Sequence, residues 1–249
     1  MAFWLKTVVV LISADAEWAA VKKLLSPSCL HRSPFGEFFL CHPPSNYPQE
    51  LIYFQGGWGK ICAASSTQYV IDRFNPNILF NLGTCGGIEG RIERGKIVLA
   101  ERTLVYDLVE MMQPGEDIQG FYTTELDLSF LRKPYPFEVT KQTICSADRD
   151  LLAEDIPNLV QQYGATVCDW ESAAIAFVAK RNQIPLVILR GVSDLVSLRG
   201  GEAYGDVAFF HRSTLAILAR LLENFESWLE CIQPAKILRA DCKYPSQRP

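Results

Sequence analysis

The sequence lacks the features that mark membrane proteins and secreted proteins. Among its 249 residues, no apolar run approaches the length that a membrane span needs. The first residues have neither the basic start nor the cleavage site of a signal peptide, and they lead directly into a predicted buried strand. We therefore expect a cytoplasmic protein that does not bind a membrane.

An excess of basic residues is also missing. The chain has 24 lysines and arginines against 28 aspartates and glutamates, and its formal net charge is −4 at pH 7. Proteins that bind nucleic acids in general present a basic stripe, so we expect no nucleic-acid partner. This charge does not exclude a small anionic ligand.

The cysteines and histidines lack the spacing of a metal site. None of the eight cysteines forms a C-x-x-C motif, and the three histidines are scattered. In a chain of this length we interpret the cysteines as buried thiols rather than as a disulfide or zinc framework. We predict no metal ion and no cofactor, and we assign a structural role to His211, near the start of a helix.

Strand-like and helix-like segments alternate along the chain. Short apolar runs that are typical of buried strands occur at Thr7–Ser13, Leu51–Gln55, Ile78–Leu82 and Leu186–Leu189. Sequence spacing and breakers predict helices over Ile61–Phe74, Asp169–Asn182 and Val207–Leu229, and from Ser146 to about Tyr163 with Ser146 or Asp148 as the cap. This alternation predicts a single α/β domain.

Two polar segments are predicted as loops. Val109–Pro136 is rich in turn residues and is a candidate lid, and Leu195–Asp206 is rich in glycine and is expected to be mobile. The chain contains no internal repeat and no domain linker. We place the domain at residues 1–231 and a C-terminal tail at 232–249.

A glycine-rich segment follows one apolar strand without the spacing of a dinucleotide site. The segment is Gly83-Thr84-Cys85-Gly86-Gly87, after the strand Ile78–Leu82. Glycines at such a place let the backbone approach an anion or a sugar, and a tight turn is the plain alternative. Because the spacing is not G-x-G-x-x-G, a dinucleotide-binding oxidoreductase is the least favoured function.

The most informative stretch runs from Gly164 to Val196 and is interpreted as strand, helix and strand. Asp169 and Glu171 lie where the first strand becomes the helix, and Asp194 is expected just past the second strand. Open α/β sheets bind ligands at the carboxyl ends of their strands. Each carboxylate alone is equally explained as a helix cap or a first-turn charge, but together they indicate a site.

Three motifs resemble the nucleoside phosphorylase and nucleosidase family, and they follow one another in the family's order. They are G-W-G-K before a helix, N-L-G-T-C-G-G-I followed by G-K-I-V-L-A, and W-E-S-A-A-I-A followed by R-G-V-S-D. The resemblance is closest to the methylthioadenosine/S-adenosylhomocysteine nucleosidases and spans roughly Val8 to Leu229. It implies a central, mixed, twisted β-sheet flanked by helices, and cleavage of a purine nucleoside.

The resemblance implies roles for individual residues. Asp194 matches the acid that protonates the departing purine, and Glu171 matches the carboxylate that holds the ribose hydroxyls. Trp170 stands where the family has a methionine that packs on the sugar, so the apolar wall is kept but is much larger. Asp194 must keep its proton near neutral pH for this role, which partial burial favours.

Further matches complete the predicted site. Thr84 replaces a common serine near the nucleophile, and Gly83 begins the segment that lines the ribose side in the family. Arg190 matches an arginine that orders the site, and a salt bridge to Glu171 is its plain alternative. Leu151 lies in the segment that borders the base, where the family usually has an aromatic residue.

Glu17 distinguishes hydrolysis from phosphorolysis. In the nucleosidases a glutamate after the first strand activates water, whereas hexameric phosphorylases carry a G-D-P-x-R type of segment with an arginine for phosphate. Here S-A-D-A-E-W contains a glutamate and no arginine, a charge that suits water and repels phosphate. Asp15 is an alternative base, and a first-turn helix charge is the plain interpretation of Glu17.

The leading hypothesis is hydrolysis of a purine nucleoside or thionucleoside to free base and sugar. A phosphate-dependent phosphorylase of the same fold is the first alternative. A non-catalytic relative that binds nucleosides, with Trp170 filling the sugar pocket, is the second. The family commonly forms dimers or larger assemblies, so we expect a homo-oligomer on the resemblance alone.

Overall fold

The structure is a computed structural model of the chain, and it describes residues 5–41, 48–112 and 117–237. The strands are β1 (Thr7–Ile12), β2 (His31–Arg32), β3 (Glu37–Cys41), β4 (Glu50–Gln55), β5 (Ile78–Ile88), β6 (Ile97–Val105), β7 (Thr124–Glu125), β8 (Thr140–Ser146), β9 (Val167–Asp169), β10 (Leu186–Ser197) and β11 (Gly200–Gly201). The α-helices are α1 (Asp15–Leu25), α2 (Gly59–Phe74), α3 (Ile118–Tyr122), α4 (Ile156–Tyr163), α5 (Ser172–Arg181), α6 (Val207–Glu223), α7 (Phe225–Glu230) and α8 (Pro234–Ile237).

The strands form one mixed sheet between two layers of helices. Their order is β11-β10-β6-β8-β9-β5-β1-β4-β3-β2, and β7 pairs with β6. Because β10 also pairs with β5, five strands close into a ring: β5, β10, β6, β8 and β9. Helix α1 packs against α6, and α2 packs against α5. The predicted single α/β domain with a central mixed sheet is confirmed, and the ring adds to it.

The central strand β1 is buried on both faces. Val8 and Val10 belong to the apolar cluster that includes residues of α1, α6 and α7, while Val9 and Leu11 belong to the cluster that includes residues of α2 and α5. Successive side chains of a strand point to opposite faces, so a strand covered on both sides needs an unbroken apolar run. The predicted strand Thr7–Ser13 is confirmed on this basis.

Two strands extend further than the apolar pattern predicts. β5 continues through the predicted glycine loop to Ile88, and β10 continues past Leu189 to Ser197. The two strands pair in parallel along this extension, which supplies partners for the backbone of the glycine segment. The prediction that Asp194 lies past a strand end was wrong: it lies within β10, beside an irregularity after Val192.

The helix predicted from Ser146 begins later. Ser146 is the last residue of β8, and neither it nor Asp148 caps α4. A short 3₁₀ turn over Ala153–Asp155 leads into α4, which has a proline in its first turn. Proline lacks the amide hydrogen that an interior helical position must donate, so it is tolerated only at the start of a helix.

The other predicted helices and loops need smaller corrections. The helix predicted from Asp169 begins at Ser172, and the helix predicted over Val207–Leu229 is broken at Asn224. The Asn224 side-chain amide donates to the carbonyl of Arg220 at 2.8 Å, so it competes with the regular helical pattern.

The two segments predicted as loops also contain regular structure. α3 and β7 lie within residues 109–136, of which 113–116 are outside the described residues. The segment 195–206 contains the end of β10 and the short strand β11. These elements are too short, or too rich in glycine, to give an apolar pattern in the sequence.

Residues at the predicted domain boundary and the cysteines complete the description. Ile232 and Ile237 are buried in the cluster that includes α6 and α7 residues, and α8 lies in the predicted tail, of which residues 238–249 are outside the described residues. Cys29 and Cys62 are exposed, so the expectation of buried thiols was wrong for these two. Cys242 lies outside the described ranges. In those ranges, no helix is long and apolar enough to cross a membrane.

Candidate active site

A cavity of about 680 Å³ lies at the carboxyl ends of β1, β4, β5 and β10. These four strands are mutually parallel, so their carboxyl ends meet at one edge of the sheet. The segments that line it are 14–17 after β1, Trp58 after β4, 84–86 in β5, 149–151, 168–171 around the end of β9, 193, 194 and 196 in β10, 203–205, and 210 and 211 in α6. The predicted position of the site at the strand ends agrees with this arrangement.

The cavity brings most of the predicted site residues together. The predicted residues that line it are Glu17, Thr84, Leu151, Trp170, Glu171 and Asp194. Arg190 and Gly83 do not line the cavity. Both lie behind its wall, where they support the residues that do.

Arg190 joins three carboxylates behind the cavity. Its guanidinium nitrogens lie 3.1 Å from Asp169 Oδ2, 3.5 Å from Glu17 Oε1 and 3.7 Å from Glu171 Oε2. Arg190 is completely buried, and a buried charge is stable only when it is paired. The expected salt bridge to Glu171 is therefore one part of a larger cluster that also fixes Glu17.

Gly83 provides the space that this cluster occupies. It is the register partner of Arg190 in the parallel pair β5–β10. A Cβ at position 83 would lie 2.1 Å from Arg190 Nη1 and 2.5 Å from Glu17 Oε1. Since real atoms do not approach so closely, any side chain at position 83 would displace the Arg190–Glu17 pair.

Glu17 lies at the floor of the cavity with its carboxylate held on both oxygens. Oε1 accepts hydrogen bonds from the Thr84 amide at 2.6 Å and the Thr84 hydroxyl at 2.9 Å, and Oε2 accepts one from the Ala14 amide at 3.2 Å. The bond to Ala14 closes the first turn of α1. Glu17 is therefore a first-turn helix residue, as the structural alternative in the sequence analysis states, and its side chain also lines the cavity. The alternative base, Asp15, is exposed and accepts a bond from Gln55.

Glu171 is held between α2 and the arginine cluster. Its Oε1 accepts a hydrogen bond from the Gly59 amide at 3.1 Å. Burial raises the pKa of Glu171 to about 8, with Arg190 opposing the rise and the negative charges of Asp169 and Glu17 adding to it. At neutral pH, Glu171 is therefore mostly protonated and can both donate and accept a hydrogen bond.

Asp194 lies in β10 and lines the cavity. Its Oδ1 accepts a hydrogen bond from the Ser193 hydroxyl at 2.6 Å. Burial raises the pKa of Asp194, the bond from Ser193 opposes the rise, and the charges of Glu202 and Asp150 add to it. The environment favours the protonated form that a proton donor needs.

Asp169 is buried in the cavity wall and orders the start of α5. Its carboxylate accepts hydrogen bonds from the hydroxyls of Ser146 and Ser172. The Ser146 hydroxyl in turn accepts one from the Ala173 amide at 3.0 Å. The end of β8, the start of α5 and, through Arg190, β10 therefore meet at Asp169, which keeps Trp170 and Glu171 in place.

Several cavity residues were not predicted as site residues. They are Trp58, Ser193, Tyr204, Phe210 and His211. The Tyr204 hydroxyl donates to the Leu151 carbonyl at 2.7 Å, which ties the segment after β10 to the segment that holds Leu151. The G-W-G-K motif was the available signal for Trp58, and nothing local in the sequence identifies Tyr204. His211, expected to be structural, faces the cavity.

The residues that the structure describes contain no group of three or more His, Cys, Asp or Glu side chains placed to hold a metal ion. The carboxylates of the cavity are instead arranged around Arg190 and backbone amides. The arrangement is suited to proton transfer and to binding a polar, uncharged or cationic group.

Comparisons with known proteins give one family and one fold. Residues 45–225 match the phosphorylase superfamily. A 5′-methylthioadenosine/S-adenosylhomocysteine nucleosidase of Buchnera aphidicola is 28% identical over 156 residues, which cover 58% of this chain and 67% of the relative.

Two solved structures from Helicobacter pylori share the fold. The 5′-methylthioadenosine/S-adenosylhomocysteine nucleosidase with butyl-thio-DADMe-Immucillin-A has a TM-score of 0.73 at 17% identity, covering 89% of this chain and 98% of that one. The futalosine hydrolase has a TM-score of 0.71 at 15% identity, covering 91% and 98%. Because the family match covers well over half of the sequence, this chain belongs to the phosphorylase superfamily, whose members cleave N-glycosidic bonds.

Proposed function

We propose that this protein is a nucleosidase that hydrolyses the N-glycosidic bond of a purine nucleoside or thionucleoside to free base and free sugar. The observation that carries the proposal is the position of Glu17. Its carboxylate is buried at the cavity floor, is fixed by Thr84, and is paired with Arg190. The nucleosidases among its relatives support the same reaction class.

The charge of the cavity supports water rather than phosphate as the nucleophile. Its lining includes six carboxyl groups. Burial favours the neutral forms of Glu171 and Asp194 by raising their pKa, and the carboxylates of Asp15, Glu17, Asp150 and Asp169 remain to repel an anion. The one arginine of the lining, Arg149, is paired with Asp155 at 2.9 Å, and Arg190 is surrounded by its three carboxylates. Like charges at short range repel, so phosphate would be disfavoured near the reacting carbon.

The reaction follows from three groups. Protonated Asp194 gives its proton to a ring nitrogen of the base, while the electrons of the C1′–N bond move to the base. The sugar becomes cationic, as in other glycoside cleavage, and the surrounding carboxylates stabilise it. Water attacks C1′ and gives a proton to Glu17, and Glu171 holds the ribose hydroxyls.

The non-catalytic alternative receives less support from the cavity. Trp170 is only partly buried and lies in the wall, and the volume of about 680 Å³ remains open beside it. A tryptophan that filled the sugar position would leave no such space. A homo-oligomeric state and a cytoplasmic location are proposals that rest on the family resemblance.

Chromatography of reaction products tests the proposal. The substrates are methylthioadenosine, S-adenosylhomocysteine, adenosine and inosine, each with and without phosphate. We expect free base and free sugar from at least one of them, at a rate that phosphate does not change. A sugar phosphate that forms only with phosphate present would identify a phosphorylase instead, and no release from any substrate would support the binding-only alternative.

A further inference from the structure

Two tryptophans pack against each other, with tilted rings, at one end of the cavity. The ring centroids of Trp58 and Trp170 are 5.0 Å apart, with an angle of 32° between the planes, and both residues line the cavity. Trp58 is 64% exposed. A large apolar side chain that faces solvent at the mouth of a cavity is typical of a ligand-binding surface.

The backbone fixes the position of Trp58. The flanking residues Gly57 and Gly59 both have φ of +82°, a conformation that other residues rarely adopt. A Cβ at Gly57 would also lie 2.9 Å from the Cβ of Cys62. The indole is therefore presented by a defined turn at the start of α2.

The strand order places the tryptophan pair at the end of the cavity away from Asp194. Asp194 lies on β10, and Trp58 follows β4, with β5 and β1 between them. Three strand spacings of about 4.8 Å separate β10 from β4 by about 14 Å. Asp194 and the tryptophan pair therefore lie at opposite ends of the cavity.

Glu171 lies next to the tryptophan pair. Trp170 directly precedes Glu171, and Trp58 directly precedes Gly59, whose amide donates to Glu171 Oε1. In a nucleoside the base is attached at C1′, and the C4′–C5′ bond leaves the sugar ring on the other side of the ring oxygen. With the base at Asp194 and the sugar at Glu171, the 5′ substituent is directed to the tryptophans.

We infer that Trp58 and Trp170 bind the 5′ substituent of the substrate and select a flat, aryl group over a small group. This inference rests on the proposed function. The segment after β1, which neighbours β4 in the sheet, adds Ala14, Asp15 and Ala16, so an anionic 5′ group would meet a carboxylate. An aryl group gains stacking contact with the indoles, which adds up to about tenfold in affinity per aromatic pair.

The test compares three nucleosides that differ only at the 5′ position: adenosine, 5′-methylthioadenosine and 5′-phenylthio-5′-deoxyadenosine. The three corresponding nucleosides with hypoxanthine as the base are measured in the same way. For the wild type we expect kcat/KM to be highest for the phenylthio compound, by about tenfold over the methylthio compound. Trp58→Ala is expected to remove this ratio and Trp58→Phe to keep most of it. Ile61→Ala, in the first turn of the helix that follows Trp58, is the control: Ile61 is exposed and outside the cavity, so the ratio should not change.

A binding measurement separates this inference from the proposed function. Quenching of tryptophan fluorescence by the phenylthio compound should be saturable, and Trp58→Ala should weaken binding by about tenfold, even if no base is released. Release of base with no preference for the phenylthio compound would overturn the inference and leave the nucleosidase proposal intact. An equal fall in kcat/KM for all three 5′ groups in Trp58→Ala would also overturn the inference and leave the nucleosidase proposal intact.

Discussion

Arg190 Nη1 and Glu17 Oε1 lie 3.5 Å apart behind the cavity floor, and their side chains are only 1% and 2% exposed. The two residues are 173 positions apart in the sequence. They meet because β1 and β10 both pair in parallel with β5 and end at the same edge of the sheet. We therefore expect loss of this pair to change both the stability of the fold and the position of Glu17, the proposed base.

Removing the guanidinium should destabilise the protein strongly. Arg190→Met leaves Glu17, Asp169 and Glu171 buried without their cation, and breaking a buried ion pair in this way costs about 3–5 kcal/mol of unfolding free energy. Urea unfolding measures this loss. Arg94→Met is the matched control: its pair with Glu202 is exposed, so we expect a change of about 0–1 kcal/mol. Equal losses in both variants would contradict the role of the cluster.

Gly83→Ala should disturb the same pair from the other side. The added Cβ would overlap with Arg190 Nη1 and Glu17 Oε1, and overpacking of a tight site costs about 1–3 kcal/mol. We also expect most of the activity to be lost, since Glu17 must move. Gly86→Ala is the stability control, because its Cβ would have no neighbour closer than 3.8 Å. Unchanged stability and activity in Gly83→Ala would show that the cluster tolerates displacement.

The sequence predicts the parts of the fold and of the site whose residues form a pattern within one segment. The unbroken apolar run of β1 indicates burial on both faces, and the carboxylates near Glu171 indicate a site at strand ends. The ring of strands and the length of β5 depend on pairing with β10. The glycines at 83, 86 and 87 interrupt the apolar pattern of β5, so the sequence does not indicate that pairing. Tyr204 lines the cavity and its hydroxyl donates to the Leu151 carbonyl, a contact between distant segments that no local pattern indicates.

Stability should depend on pH through Glu171. Burial raises its pKa from 4.5 to about 8, so the folded protein holds this proton more tightly than the unfolded chain does. This contribution to stability is complete below pH 4.5 and is lost as the pH rises to about 8. In Glu171→Gln, we expect a smaller fall of the unfolding free energy across this window than in the wild type. An identical pH dependence in the two proteins would contradict the raised pKa.

Asp194→Asn tests the proposed proton donor. The amide keeps the size of the side chain but has no acidic proton, so kcat should fall by about 10²–10⁴-fold while substrate affinity changes little. Steady-state kinetics and equilibrium binding measure the two effects. Asp72→Asn is the control: Asp72 is exposed on α2 and lies outside the cavity, so the fall in kcat should be absent. Retained hydrolysis in Asp194→Asn would exclude this residue as the acid.

Hydrolysis in water enriched in ¹⁸O tests the central claim most directly. The reaction is run with phosphate present, and mass spectrometry follows the released sugar. If water activated beside Glu17 attacks C1′, the free sugar carries one ¹⁸O at C1, and Glu17→Gln abolishes its formation. A sugar phosphate without label at C1 would contradict the account, because the nucleophile would then be phosphate.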